Sequence, residues 1–310
     1  MRTSGAVPPR RTTPGIAWRR IVGAARLAGA AAMAAGAAAA PARSQQDAGA
    51  QYQVYGVRFA GYHAFPVAEL VAGADSSRRT DLAFVVWVLK GTGPGAAGHT
   101  VLFDAGFYRD QFLAAWKPFD FVRPSDAIGR VGVRPEDVTD VIISHIHWDH
   151  VDGSDLFPNA RIWLQRAEYE HYVGDDGRPR ARGIDTVDAS MLASLRRAGR
   201  IHLIDGDARE VLPGITAYTG GRHTFASQYI GVRTQRGIVV LASDNVYMYE
   251  NIAKHVPIGA PYTRADTASN LAAQDRMLHL AADPSLVLPG HDPEIFVRFP
   301  RPGNGVAEIR

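Results

Sequence analysis

The feature that most constrains this chain is the run Ser-His-Ile-His-Trp-Asp-His at residues 144–150, which comes directly after a short apolar segment. It places three imidazoles and one carboxylate within six residues, a density that the packing of a hydrophobic core does not explain. Imidazole and carboxylate are groups that Zn²⁺ and similar divalent metals bind. Because alternate residues of an extended segment share a face, His145 and His147 can point to one metal position, and Asp149 and His150 to a second. The run therefore predicts a metal site at a strand end.

Two metals need more ligands than this run supplies, and three later positions offer them. Each follows an apolar or glycine-rich segment: His223 in Gly-Gly-Arg-His-Thr, Asp244 after Ile-Val-Val-Leu-Ala-Ser, and His291 in Leu-Pro-Gly-His-Asp. Strands that end at a shared edge place functional groups on the loops that follow them. The remaining six histidines have no such context, and we interpret them as surface or supporting residues: His63, His99, His171, His202, His255 and His279.

The order His-x-His-x-Asp-His, then His, Asp and His, resembles the metallo-β-lactamase superfamily. The resemblance covers roughly residues 52–300. It implies an α/β fold, an αββα sandwich with a dinuclear metal site at the sheet edge, and two divalent metals per chain, with zinc expected. The first metal would be held by His145, His147 and His223, the second by Asp149, His150 and His291, and Asp244 would bridge the two.

Further residues resemble the N-acyl homoserine lactonase branch of that superfamily. They are the stretch His-Thr-Phe-Ala-Ser-Gln at 223–228 and the three-residue spacing from Asp244 to Tyr247. In that branch a tyrosine at the Tyr247 position reaches the substrate carbonyl, and an aromatic residue at the Trp148 position lines the pocket. Asp104 would orient a ligand imidazole by accepting its N–H. The Phe-Ala pair within 223–228 departs from the small pair common in that branch, but it leaves the ligands intact.

The resemblance implies a hydrolase that opens the ring of an N-acyl homoserine lactone or a related small lactone. Water activated between two metals would attack the carbonyl, since metal binding lowers the pKa of water to about 7. Tyr247 would donate a hydrogen bond to the developing oxyanion, and Asp149 would pass a proton to the departing alkoxide. Ser144 and Ser243 would be structural, because no separate nucleophile is needed.

Two other functions stay open from the sequence. One is another hydrolase of the same fold, acting on a thioester, an aryl ester, a phosphotriester or a β-lactam. Several zinc β-lactamases use a cysteine ligand and this chain has none, and no basic site for a glutathione carboxylate is evident. The other is a non-catalytic metal-binding scaffold, which the complete set of ligand positions disfavours.

Residues 1–42 have the features of an export signal. They contain six arginines and no acidic residue, a weakly apolar Ala/Gly-rich stretch at 21–40, and the small-residue site Ala-Pro-Ala at 40–42. The Arg19-Arg20 pair favours a twin-arginine signal. We expect a periplasmic or secreted protein without a stable membrane anchor, because alanine and glycine contribute little to insertion. A disordered Ala-rich tail or a wrongly assigned start is the alternative.

The charge of the chain depends on this leader. Six of the 34 basic residues lie in it, which leaves 28 basic against 31 acidic residues, a net of −3. No basic stripe with interleaved aromatics is present, so we expect no nucleic-acid partner. The sequence has no cysteine, which excludes disulfides and thiolate ligands and suits an oxidising compartment. The expected partner is a small-molecule lactone, and a homo-oligomer is compatible with the sequence.

After a short linker at 43–51, residues 52–310 form one predicted hydrolase domain in which strands and helices alternate. The predicted strands lie at 82–89, 100–102, 162–164, 201–204 and 238–241. One helix is predicted to open at 134–137 and another to cover 265–282. Loops near the pocket are predicted at 107–130 and 174–183. Aromatic residues of the first loop would cover an apolar substrate tail or pack a local helix: Phe107, Tyr108, Phe112, Trp116, Phe119 and Phe121.

Overall fold

Two β-sheets that share an apolar layer form the centre of the fold. The computed structural model describes residues 49–259 and 263–309. In chain order, the strands within these ranges are β1 (Tyr52–Pro66), β2 (Arg79–Gly91), β3 (Thr100–Phe103), β4 (Asp140–Ile142), β5 (Arg161–Gln165), β6 (Ile201–Ile204), β7 (Arg209–Leu212), β8 (Ile215–Thr219), β9 (Gln228–Thr234), β10 (Gly237–Ser243), β11 (Val287–Pro289) and β12 (Val306–Ile309). The first sheet has the order β12-β1-β2-β3-β4-β5-β6, and the second has the order β11-β10-β9-β8-β7.

Helices cover the outer faces of both sheets. In the same ranges they are α1 (Asp110–Trp116), α2 (Pro124–Ala127), α3 (Trp148–Val151), α4 (Arg166–Tyr172), α5 (Thr186–Arg197), α6 (Tyr249–Lys254), α7 (Arg264–Leu280) and α8 (Ile295–Arg298). Leu192 of α5 packs in one cluster with the first sheet, and Met277 of α7 packs in another with β10 of the second. The order of layers is therefore helix, sheet, sheet, helix, as expected from the sequence.

Strand β2 shows why the sequence folds into these layers. Phe84, Val86 and Val88 face the helices outside the first sheet. Val85 and Trp87 alternate with them and face the second sheet. A strand that is covered on both faces needs apolar side chains at nearly every position, which explains the uninterrupted apolar run at 82–89.

Parallel strand pairs gather the functional loops at one edge. β3, β4, β5 and β6 run parallel in the first sheet, and β10 runs parallel to β11 in the second. The carboxyl ends of parallel neighbours lie at the same edge of a sheet. The loops after β3, β4, β10 and β11 therefore come together, and each carries a polar residue singled out in the sequence.

Most of the predicted elements are confirmed, and two predictions were wrong. The five predicted strands correspond to β2, β3, β5, β6 and β10, and the helix predicted at 265–282 is α7. No helix opens at 134–137: a single 3₁₀ turn ends there because Val138 is already extended, with φ −72° and ψ 118°. The stretch 107–130 is not a plain loop either, since it contains α1 and α2.

The proposed leader at 1–42 and most of the linker at 43–51 lie outside the described residues. No helix within residues 49–259 and 263–309 is long and apolar enough to cross a membrane.

Candidate metal centre

All seven side chains singled out as ligands lie together at the edge described above. They form two groups, and within each group one potential ligand atom per residue lies within 4.8 Å of the others. The first group is His145, His147, His223 and Asp244, and the second is Asp149, His150 and His291. The six other residues divide as expected from the sequence, while Asp244, expected to bridge the two metals, falls in the first group.

The imidazoles of the first group converge through their ring nitrogens. His145 Nε2 and His223 Nε2 each lie 3.0 Å from His147 Nδ1. Metal–nitrogen bonds of 2.0–2.1 Å in a tetrahedral site place neighbouring ligand nitrogens about 3.3 Å apart, close to the observed spacing. Burial lowers the pKa of His223 to about 3, so this imidazole is neutral, the form in which histidine binds a metal.

Asp244 lies between the two groups, and each of its oxygens faces one of them. Oδ1 lies 3.0 Å from His291 Nε2 and 3.3 Å from His150 Nε2, while Oδ2 lies 3.4 Å from His223 Nε2. Burial alone would raise the pKa of Asp244, but the charges of His150 and His291 hold it well below its usual value. This placement suits a carboxylate that bridges two cations.

Two buried atoms at the centre provide a test of whether metals fit. His150 Nε2 and Asp244 Oδ1 are inaccessible to water and lack a hydrogen bond of ordinary geometry within the described residues. Buried polar atoms that make no well-directed hydrogen bond are costly and rare. A nitrogen and an oxygen of this kind, aimed into a cluster of imidazoles and carboxylates, fit divalent metals that bind nitrogen and oxygen ligands.

Asp104 orients one ligand candidate, as the sequence predicted. Its Oδ2 lies 2.8 Å from His150 Nδ1, which leaves Nε2 to face the centre. Ser144 donates to Asp104 through its backbone N–H and its hydroxyl, and the Ser243 hydroxyl donates at 3.1 Å. The two serines thus hold the carboxylate, in agreement with a structural role. Similarly, His291 Nδ1 lies 3.1 Å from the carbonyl oxygen of Ala83.

Glycine at position 290 lets two strand ends approach closely. A Cβ there would lie 2.9 Å from both Asp244 Oδ1 and the Ser243 carbonyl carbon, closer than side-chain carbons come to such atoms. Ser243 itself has a φ of 48°, a strained value for a residue with a side chain. The backbone is therefore shaped to place Asp244 against the loop that carries His291.

Tyr247 and Trp148 both line a cavity of about 290 Å³ above the ligand cluster. The Tyr247 hydroxyl lies 3.4 Å from His223 Nδ1. Trp148, the first residue of α3, stacks on Phe112 with ring centroids 4.9 Å apart and lies 5.0 Å from the ring of Trp116. Both side chains predicted to contact substrate therefore border the cavity.

The other walls of the cavity are mainly apolar: Phe65, Leu70, Leu82, Phe84 and Trp116, with the exposed Glu69. Of the aromatic residues at 107–130, only Trp116 lines this cavity. Phe107 and Phe112 are buried in the core, so for them packing is the correct interpretation. The stretch 174–183, predicted to lie around the pocket mouth, contributes no residue to the lining of this cavity.

A family model of the metallo-β-lactamase superfamily matches residues 84–291, a range that contains the whole ligand cluster. The chain belongs to the metallo-β-lactamase superfamily.

Several members of this superfamily are similar to the chain. An N-acyl homoserine lactonase of Bacillus cereus is 32% identical over 212 residues, which cover 67% of this chain and 77% of the relative. A structure of N-acyl homoserine lactone hydrolase with N-hexanoyl-L-homoserine bound at its catalytic metal centre has a TM-score of 0.63 and 21% identity, covering 78% of this chain and 94% of that one. AidC, a dizinc quorum-quenching lactonase, has a TM-score of 0.53 and 15% identity, covering 85% and 98%. The two structural similarities support the fold.

Two parts of this metallo-β-lactamase site were missed in the sequence. The cavity wall from Phe65 to Leu82 carries no polar motif, so nothing marked it. Glu168 is fully buried and accepts three hydrogen bonds from the ligand loops. Burial raises the pKa of this carboxyl group. Its position, early in a helix that directly follows a strand, was the only available signal.

Of the six other histidines, none belongs to either metal group.

Proposed function

We propose that the chain is a metal-dependent lactonase that opens the ring of an N-acyl homoserine lactone or a related small lactone. The observation that carries this proposal is the Tyr247 hydroxyl beside two His/Asp groups at the base of an apolar cavity. The similarity to curated N-acyl homoserine lactonases supports it. An acyl lactone is a neutral ester with an apolar tail, and the cavity offers an apolar wall for the tail and polar groups for the ester.

His145, His147 and His223 would hold one metal, Asp149, His150 and His291 the second, and Asp244 would contact both. Divalent metals at such positions lower the pKa of water and polarise a carbonyl oxygen. Zinc is our proposal for the metal, because the ligand set of imidazole and carboxylate suits it. The dizinc AidC is a precedent on the same fold.

Tyr247 would stabilise the charge that develops on the substrate carbonyl oxygen. Its hydroxyl borders the cavity and lies close to His223 of the first group. The O–H would donate a hydrogen bond to the oxyanion, which is worth most where bulk water is excluded.

Asp149 would move the proton. Its carboxylate is only 14% exposed and lines the cavity, with Oδ2 at 3.4 Å from His150 Nε2. An ionised carboxylate at this position can accept a proton. It would take the proton that the attacking water loses and deliver it to the ring oxygen as the acyl C–O bond breaks. The product is the open-chain hydroxy acid.

A substrate panel tests this proposal directly. The purified protein, supplied with Zn²⁺, is assayed against C4 to C12 acyl-homoserine lactones, simple γ- and δ-lactones, an aryl ester, a thioester and a β-lactam. We expect the lactones to have the highest kcat/KM. A higher kcat/KM for the thioester, aryl ester or β-lactam would reassign the substrate, and no turnover of any compound by protein with two bound metals would favour a scaffold.

We also propose that the protein is exported and loses its leader near residue 42. The support is the arginine-rich, acid-free start joined to an Ala-rich stretch and a small-residue site. N-terminal sequencing of protein from cell fractions decides this: mature protein in the periplasm or medium is expected, and an intact Met1 on cytoplasmic protein would contradict export while leaving the enzymatic proposal unaffected.

A further inference from the structure

Glu168 is a buried carboxylate with three hydrogen-bond donors around it. It lies in the first turn of α4, directly after β5, and is 0% exposed. Its Oε1 accepts from the Thr224 hydroxyl at 2.6 Å and from the backbone N–H of Ile146 at 3.2 Å. Its Oε2 accepts from the backbone N–H of Ala226 at 2.6 Å. The carboxylate is thus satisfied entirely by loops outside its own helix.

These donors belong to the two loops that carry the three histidines of the first metal group. Ile146 stands between His145 and His147, on the loop that follows β4 of the first sheet. Thr224 is next to His223, on the loop that joins β8 to β9 of the second sheet. One side chain therefore connects the ligand loops of two different sheets.

The chemistry of the contact requires a carboxylate. A carboxylate only accepts hydrogen bonds, and here it meets three donors, whereas an amide would turn an NH₂ group towards at least one of them. Within the described residues, no arginine or lysine pairs with Glu168. A buried charge without a cationic partner is expensive. Its position between two loops that carry candidate metal ligands therefore points to a role in that cluster.

We propose that Glu168 is a positioning residue that fixes the spacing between the His145/His147 loop and the His223 loop, and thereby sets the affinity of the first metal position. The inference rests on the proposed metal centre but not on the identity of the substrate. It adds to the candidate ligands a residue that touches neither metal nor substrate.

The experiment measures metal affinity in Glu168→Gln against Glu170→Gln. Glu170 is on the same helix, and its side chain is 56% exposed and paired with Arg166, so this control makes the same chemical change at the surface. Zn²⁺ is titrated into each protein against a chromophoric chelator. Residues that orient metal ligands typically change affinity 10- to 100-fold. We expect a weakening of about that size for one of the two Zn²⁺ equivalents in Glu168→Gln, and none in Glu170→Gln.

Two further measurements separate positioning from general stability. Thr224→Val removes one donor and keeps the side-chain shape, so it should weaken the same equivalent, but less. In Co²⁺-loaded protein, the visible absorption bands should change in Glu168→Gln and stay as in the wild type in Glu170→Gln. Unchanged Zn²⁺ affinity and Co²⁺ spectrum in Glu168→Gln, whatever its melting temperature, would overturn the inference alone. A wild type that binds no Zn²⁺ would overturn the proposed metal centre as well.

Discussion

Buried carboxyl groups occupy two regions near α3, and the two regions differ in the groups that surround these carboxyls. In the first region, Asp104 faces the imidazole of His150 and Asp244 faces that of His291 at the metal centre. After α3, a carboxyl cluster formed by Asp152, Asp155 and Asp188 surrounds the single guanidinium of Arg109. Arg109 Nη2 lies 2.7 Å from Asp155 and its Nη1 lies 3.9 Å from Asp188, while Asp152 pairs with it directly.

The two regions therefore differ in protonation. The charges of His150 and His291 hold the pKa of Asp244 well below its usual value, so it stays ionised. Burial, reinforced by the charge of Asp152, raises the pKa of Asp188 to about 9, so it is protonated at neutral pH. A buried aspartate in this fold is thus a candidate ligand only where imidazoles surround it. Matched substitutions in the two regions test this difference in protonation.

The largest effect is expected for Asp244→Asn. The amide keeps the shape but removes the negative charge between the two groups, so at least one metal should be lost. A metal stabilises the transition state by several kcal/mol, and losing this stabilisation lowers kcat/KM by roughly 10³-fold or more. Lactone hydrolysis and metal content are measured together, with Asp188→Asn as the matched change in the carboxyl cluster. Two metals and full activity in Asp244→Asn would remove the contrast between the regions.

Tyr247→Phe should lower kcat by roughly 10- to 10³-fold, the scale of losing one donor to an oxyanion. The ring is kept, so two metals should remain bound and the melting temperature should be close to that of the wild type. Steady-state kinetics with elemental analysis checks this. A kcat within about twofold of the wild type would mean that Tyr247 only packs beside His223, and would weaken the proposal of a lactonase.

Asp104→Asn tests a carboxylate that acts on the centre through a ligand imidazole. The amide still accepts one hydrogen bond but no longer stabilises the imidazole of His150 by charge, so we expect 10- to 100-fold weaker binding of one metal. Chelator competition measures it. Since Asp104 faces the second group and Glu168 the first, the double variant should weaken both equivalents; an effect confined to one of them would contradict this division.

Asp188→Asn should give the smallest effect, and only on stability. The pKa of Asp188 is raised from 3.8 to about 9 in the folded protein, so between these two pH values the folded protein holds a proton that the unfolded chain has released. The free energy of unfolding of the wild type therefore falls as the pH rises through this range. The permanently neutral amide avoids that loss. The melting temperature of the variant minus that of the wild type should therefore increase by at least about 3 °C from pH 5 to pH 9. Activity should be unchanged. A constant difference across this range would show that Asp188 is ionised in the fold.

The sequence was sufficient for the features that are local or repeated. Residues 144–150, Asp244 and His291 stand next to apolar runs and His223 stands in a glycine-rich segment, so their convergence could be inferred from the strands. Helix α1 could not be, because it has seven residues and buries only Phe112 fully, which is too short for a helical period. Glu168 was missed for a different reason. Its hydrogen-bond donors include Thr224, which is distant in the sequence, and no residue pattern in its own helix indicates them.

The cavity wall and the chemical groups come from separate parts of the chain. Phe65 and Leu82 lie on the β1–β2 hairpin, and Leu70 lies on the connection between its strands, whereas the ligand candidates follow β4, β8, β10 and β11. The hairpin is anchored along its length by pairing between its two long strands. The hairpin also supports the metal centre, because the carbonyl oxygen of Ala83, next to Leu82, lies 3.1 Å from His291 Nδ1. A substitution at Phe65 should therefore change the shape of the cavity, whereas one at Leu82 should also shift the orientation of His291.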